Sequence, residues 1–242
     1  MGFNTLAIVN VVGSSLAREA DTTIYTKAGP EISVATTKAY TCQLAVLSLI
    51  SLTIGYEKKL ISEKKMNEII TSFYKLPDIL EKVIDFDYKK MCRNLYKKNT
   101  CFYIGRGIDY ATSLEGALKL KEISYIIALA YPAGELKHGT ISLIEKGTNV
   151  IALITDKNIA SKTISNVKEV KSRGAYVTLI ISDNLNEEIS VADEVITVPF
   201  INDFVCPIIT TIPLQLIGYE TAKLRGCDID KPKNLAKSVT VE

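Results

Sequence analysis

A chain of 242 residues is long enough for one large or two modest domains with real cores. Its 47% hydrophobic and 23% charged content is that of an ordinary globular protein. A net charge of +2, with lysines and acids interleaved and no arginine-rich run, argues against a nucleic acid as the main partner.

The chain opens on an Ile/Val-rich run, Thr5–Val12, which predicts a strand buried on both faces. Ser14 or Ser15 reads as a helix N-cap, followed by a short strand at Thr22–Thr26. The turn Ala28-Gly29-Pro30-Glu31 leads to a helix from about Val34 to Ile54, apolar on most sides and hence expected in the core. Residues 56–98 change to a charged, helix-periodic composition. They predict a helical connector of two helices separated at Pro77, with Ile61, Met66, Ile69, Ile70 and Phe73 as its apolar stripe.

A second unit starts at the strand Cys101–Ile104. Then come a helix over 109–126, an extended piece, a helix over 135–144, the strand Val150–Ile154 and a helix over 158–173. The strands Tyr176–Ile181 and Glu194–Val198 precede a long apolar helix, Val205–Leu224, and a tail, Cys227–Glu242, whose last residues have strand character. This alternation predicts an α/β fold with a doubly wound parallel sheet. The two units look alike in outline, and the shorter first unit is expected to lack its opening. An unpaired sheet edge at Thr5–Val12 predicts poor solubility.

Five cysteines (Cys42, Cys92, Cys101, Cys206, Cys227) form no CxxC pair, and there is a single histidine, His138. No disulfide framework or structural zinc site is expected, and the thiols suit a cytoplasmic setting. Cys42 and Cys206 read as small buried hydrophobes. The start, MGFNTLAIVNVVGSS, lacks the charged region of a secretory signal, and Leu6 stands where a myristoylation signal needs Ser or Thr. The two long apolar helices carry polar residues such as Thr41, Gln43, Thr210 and Gln215, so core helices are expected rather than membrane spans.

Four features could carry chemistry. Gly105-Arg106-Gly107 joins a strand to a helix, but Tyr110 takes the place of the third glycine of a dinucleotide loop. The alternative is a turn lining a ligand crevice at the strand's carboxyl end. In EGALKLKEISYI, residues 115–126, Glu115, Lys119 and Glu122 share one helical face. Spacing alone favours a solvated face with ion pairs worth about 0.2–0.5 kcal/mol each, over a proton-transfer site. His138, in GELKHG, and Lys237, in the tail, each read as a surface group or as a participant in carbonyl chemistry.

The stretches VVGSSLAREADTTIYTKAGPEISVATTKAYTCQL, EGALKLKEISYI, GELKHG and DKPKNLAKSVTVE closely resemble, in order, the sugar-isomerase (SIS) half of the glutamine–fructose-6-phosphate aminotransferases (isomerizing). The resemblance covers essentially the whole chain. It implies residues 1–55 as the end of a first SIS unit, 56–98 as the connector, 99–226 as a second SIS unit and 227–242 as an active-site tail. It implies Lys237 as the Schiff-base amine for open-chain fructose 6-phosphate, and Glu122 as the base moving the proton between C1 and C2. It implies His138 for ring opening, entering from the second subunit of a homodimer, and Lys119 for stabilising developing negative charge. Val34, Thr36, Ala236 and Glu115 would hold the sugar, Thr36 standing where serine is frequent. The product would be glucosamine 6-phosphate, made for amino-sugar synthesis, with no nucleic acid, membrane, metal or organic cofactor involved.

The departures from the family are the glutaminase domain and the Ser/Thr-rich loop that binds the sugar phosphate, for which no counterpart occurs in these residues. The expectation is therefore the carboxyl-terminal part of the isomerase half, as a piece of a longer protein, a split product or a remnant. Two rival readings are a non-catalytic SIS module that binds a phosphosugar and regulates a partner, and an inactive fragment that only oligomerises.

Overall fold

The computed structural model describes residues 2–237. One parallel sheet organises the second half of the chain. Its strands are β3 (Thr100–Gly105), β4 (Ile127–Pro132), β5 (Asn149–Ile154), β6 (Tyr176–Ser182) and β7 (Glu194–Val198), in spatial order β4-β3-β5-β6-β7. All four pairings are parallel. Every residue of β5 is buried, as an unbroken Val/Ile/Leu run requires when both faces are covered.

Helices α5 (Ile108–Ser124) and α7 (Cys206–Leu224) cover one face, joined by α3 (Glu63–Ile84) and α4 (Lys89–Leu95). Helix α6 (Ala160–Lys171) covers the other. The close approach of α5 to α7 depends on Gly116, where a Cβ would lie 2.9 Å from the Tyr103 ring and 3.1 Å from Leu214. The extended piece expected after α5 is β4 itself. Helix α7 is the core helix that its composition implied.

The first half is thinner. Strands β1 (Leu6–Val9) and β2 (Thr22–Tyr25) form a two-stranded parallel sheet around the five-residue helix α1 (Ser15–Glu19), which Ser14 caps. The expected burial of Thr5–Val12 on both faces is not found: only Val9 is buried, and Val11 and Val12 are exposed. Helix α2 (Lys38–Glu57) starts later than expected and is not a buried core helix, since Leu52 alone is buried. It packs on α3 and α7 along one side, and its other apolar side chains, Leu47 and Leu49 among them, face outward. By length and composition α2 could cross a membrane. Cys42 is accordingly half-buried, whereas Cys206 is buried.

Two further expectations need correction. Pro77 does not divide two helices but lies inside α3, and the break comes before α4. A proline within a helix costs about 3 kcal/mol. The stripe Ile69, Leu76 and Val83, buried on both sides of it, gains about 1.5–3 kcal/mol per side chain and offsets that cost. Of the expected stripe only Ile69 is fully buried. The helix expected over 135–144 is instead a pair of short 3-10 turns, Ala133–His138 and Thr140–Leu143, broken at Gly139 with φ +137°.

Candidate functional site

Helix α5 presents Glu115, Lys119 and Glu122 on one face, and that face is covered rather than solvated. Lys119 and Glu115 side chains are 5% and 7% exposed, which overturns the surface reading that spacing favoured. The Lys119 ammonium donates to Glu122 Oε2 at 2.6 Å and lies 3.8 Å from Glu115 Oε1. Glu115 Oε1 is buried without a hydrogen-bond partner. Burial pushes the Glu115 carboxyl up to about 7, against the pull of Lys119 and with the push of Glu122. A carboxyl poised there can both take and give a proton near neutral pH. Tyr40 on α2 is raised as well, by burial first and then by the Glu115 charge.

The segment 31–37 lies over this face. Ala35 packs in a small cluster with Ile123 of α5 and Ala222 of α7. A cavity of about 60 Å³ between segment and helices is lined by Ser33, Thr37, Lys119 and Gln215. The Glu31 carboxylate accepts from the Thr37 N–H at 2.6 Å and the Ala39 N–H at 3.4 Å, satisfying amides at the start of α2. Burial would raise this carboxyl, but those amides and the Lys237 ammonium outweigh it and hold Glu31 below the usual range.

The tail closes the arrangement. Val34 N–H donates to Asp230 O at 2.9 Å, and Ser33 Oγ donates to Ile229 O at 3.3 Å. Lys237 then reaches back about two hundred residues: its ammonium is 3.0 Å from Ser33 O, 3.4 Å from Glu31 Oε2 and Thr36 Oγ1, and 3.5 Å from Val34 O. Val34 and Thr36 thus meet Lys237, and Ala236 sits exposed beside it. The strand character of residues 238–242 falls outside the described residues.

His138 is not brought to this cluster within the chain. Its side chain is 75% exposed, and its charged neighbour is Glu135 Oε2 at 4.0 Å. The turn Gly105-Arg106-Gly107 is not an open nucleotide cradle either. The Arg106 guanidinium donates to Asn166 at 2.9 Å and packs against Gly134. Just beyond the turn, the buried Asp109 carboxylate accepts from Thr155 N–H at 2.8 Å and Oγ1 at 2.6 Å. Sequence reasoning missed Glu31, Gln215 and Tyr40. Only Glu31 carried a signal, an acid six residues before a helix N-cap and just after a Gly-Pro turn.

A buried ammonium–carboxylate face beneath a lysine-bearing tail suits proton transfer beside a carbonyl. Over its full length the chain is 51% identical to a glutamine–fructose-6-phosphate aminotransferase [isomerizing] of Caldanaerobacter subterraneus, spanning 40% of that protein. The solved C-terminal domain of glucosamine-fructose-6-phosphate aminotransferase from Francisella tularensis matches 93% of this chain with a TM-score of 0.87 and 36% identity. This chain covers 64% of it. A glucosamine-6-phosphate deaminase from Thermotoga maritima shares the fold at a TM-score of 0.66 and 26% identity, over 97% of this chain and 66% of that one. The SIS domain family matches residues 2–52 and 94–225, so the chain belongs to that family.

Proposed function

We propose that this chain carries the ketose-to-aldose chemistry of a glutamine–fructose-6-phosphate aminotransferase, acting on fructose 6-phosphate. The observation that carries this reading is the Lys237 amine, set against Glu31, Ser33 and Thr36 beside the helix that bears Glu122. Lys237 attacks C2 of the open-chain ketose and, with loss of water, forms an imine; ammonia, the amino donor, then adds to C2 and displaces the Lys237 amine, leaving the protonated C2 imine of the free sugar. Glu122 takes the C1 proton, and the electron pair left at C1 moves toward C2 and neutralises the iminium nitrogen. Reprotonation at C2 with loss of the O1 proton leaves an aldehyde at C1 and an amine at C2. Lys119, donating to Glu122 at 2.6 Å, stabilises negative charge as it develops.

Val34, Thr36, Ala236 and Glu115 hold the sugar in this reading. His138, exposed at the end of its turn, opens the ring from the second subunit of a homodimer, in a cytoplasmic setting. Residues 1–55 and 99–226 form two SIS units of unequal length, with 227–242 as the tail.

Borohydride trapping with fructose 6-phosphate, read by intact and peptide mass, tests the proposal. A reduced sugar adduct on Lys237, absent from Lys237→Arg, is expected. Labelling confined to other lysines, or fructose 6-phosphate binding that needs no Lys237 and leaves no adduct, overturns it in favour of a binding module.

A further inference from the structure

Helix α5 ends in an unusual way. Tyr125, the residue after Ser124, adopts the left-handed conformation, φ +61° and ψ 18°. Helices commonly end on such a residue, but it is usually glycine or asparagine, because a Cβ is strained there. A bulky side chain kept in a strained conformation points to a task for that side chain.

The task is visible in the tail. The Tyr125 phenol oxygen accepts the Lys233 N–H at 2.8 Å, and the Lys233 ammonium sits 4.3 Å from the centre of the Tyr125 ring. Asp228 Oδ1 accepts from the Asp230 and Lys231 amides and turns the chain just before this point, while Pro232 is buried. Between that turn and Lys237 the other residues are exposed. Between the Val34–Asp230 bond and the Lys237 contacts, the burial of Pro232 and the two contacts to Tyr125 tie this stretch to the body of the protein.

Tyr125 lies three residues beyond Glu122 and its contact in the tail four residues before Lys237. We propose that Tyr125 is a positioning residue, which links the helix carrying the proton-transfer carboxylate to the tail carrying the amine. This rests on the reading of Lys237 as the Schiff-base amine. Through Tyr125 and its contacts with Lys233, a helix terminus and a lysine distant in sequence share one reference point.

The test separates the clamp from the chemistry. Hydrogen exchange of the 228–237 peptide reads the clamp without substrate, and borohydride trapping with fructose 6-phosphate reads the chemistry. Tyr125→Phe removes the acceptor and keeps the ring. Tyr125→Asn suits the αL position and removes both contacts, so it is expected to fold at least as well. Exchange across 228–237 should rise at least tenfold in Tyr125→Asn and less in Tyr125→Phe. The trapping rate at Lys237 should fall in the same order, at unchanged melting temperature and unchanged half-saturation by sugar. Lys233→Met, which keeps the backbone N–H, should fall between wild type and Tyr125→Asn. Wild-type exchange in Tyr125→Asn overturns the proposal, as do equal trapping rates in the variants and wild type. Absence of a Lys237 adduct in wild type, with faster exchange in the variants, refutes the Schiff-base assignment and leaves the clamp established.

Discussion

The two halves of this chain use similar apolar compositions to different ends. In the half built on β3–β7, strands and helices enclose two large clusters of buried apolar side chains, with β5 buried throughout and α7 buried at eleven positions. In residues 2–57, two four-residue strands, the turn after β1 and α2 expose Leu6, Val11, Leu47 and Leu49. The dense half supplies the rigid element, α5, on which burial can shift a carboxyl to about 7. The thin half supplies the 31–37 segment that meets Lys237. A site made of both needs precision from one and adaptable backbone from the other.

The largest effects should come from breaking the dense side of the site. Glu122→Gln is expected to slow solvent-proton exchange at C1 of fructose 6-phosphate by about 10²–10⁴-fold, followed by NMR, while the sugar still binds. Undiminished exchange would take Glu122 out of the chemistry.

Next come Leu153→Ala and Leu52→Ala, which compare the halves directly. Both leucines are almost fully buried, at 0% and 2% exposure. Leu153 sits in the main core cluster, and Leu52 in none of the clusters. In denaturant unfolding Leu153→Ala should fall near the upper end of the roughly 2–5 kcal/mol range for such truncations, and Leu52→Ala near the lower end. Equal losses would mean that α2 is as tightly packed as β5.

Smaller again is the pH dependence from Glu115. Its folded value is raised from 4.5 to about 7, so the folded chain holds this proton more tightly. Its contribution is complete below about pH 4.5 and is lost as pH rises toward 7. The loss is on the order of 3 kcal/mol. Glu115→Gln should flatten that part of the stability profile, and an unchanged slope would show that Glu115 titrates normally. The smallest effect is expected for Leu47→Ser on the open side of α2, within about 0.5 kcal/mol. A larger loss would show that this face is covered in solution.

Where the sequence was read correctly, the information was local. The strand at Glu194–Val198 matches its expected bounds, and the parallel sheet follows from strands alternating with helices. Pro77 and the 135–144 stretch were misread for reasons a local pattern cannot hold. A proline inside α3 is tolerated because buried side chains flank it, and Gly139, at φ +137°, breaks the chain after β4 into two 3-10 turns. The apolar run in α2 promised burial, but periodicity says only that a surface is apolar, not that a neighbour covers it.

By itself the sequence determined the α/β class, the order of strands and helices, and which residue types could do carbonyl chemistry. Spacing placed Glu115, Lys119 and Glu122 on one face because helix geometry repeats every few residues. Only the tertiary structure decided that this face is buried under the 31–37 segment, and that Lys237 meets Glu31, Ser33 and Thr36. Burial and electrostatics depend on what packs across from a residue, and here the 31–37 segment is far in sequence from α5 and about two hundred positions from Lys237. A sequence pattern records faces; the fold pairs them, and the pairing shifts the carboxyl and places the amine.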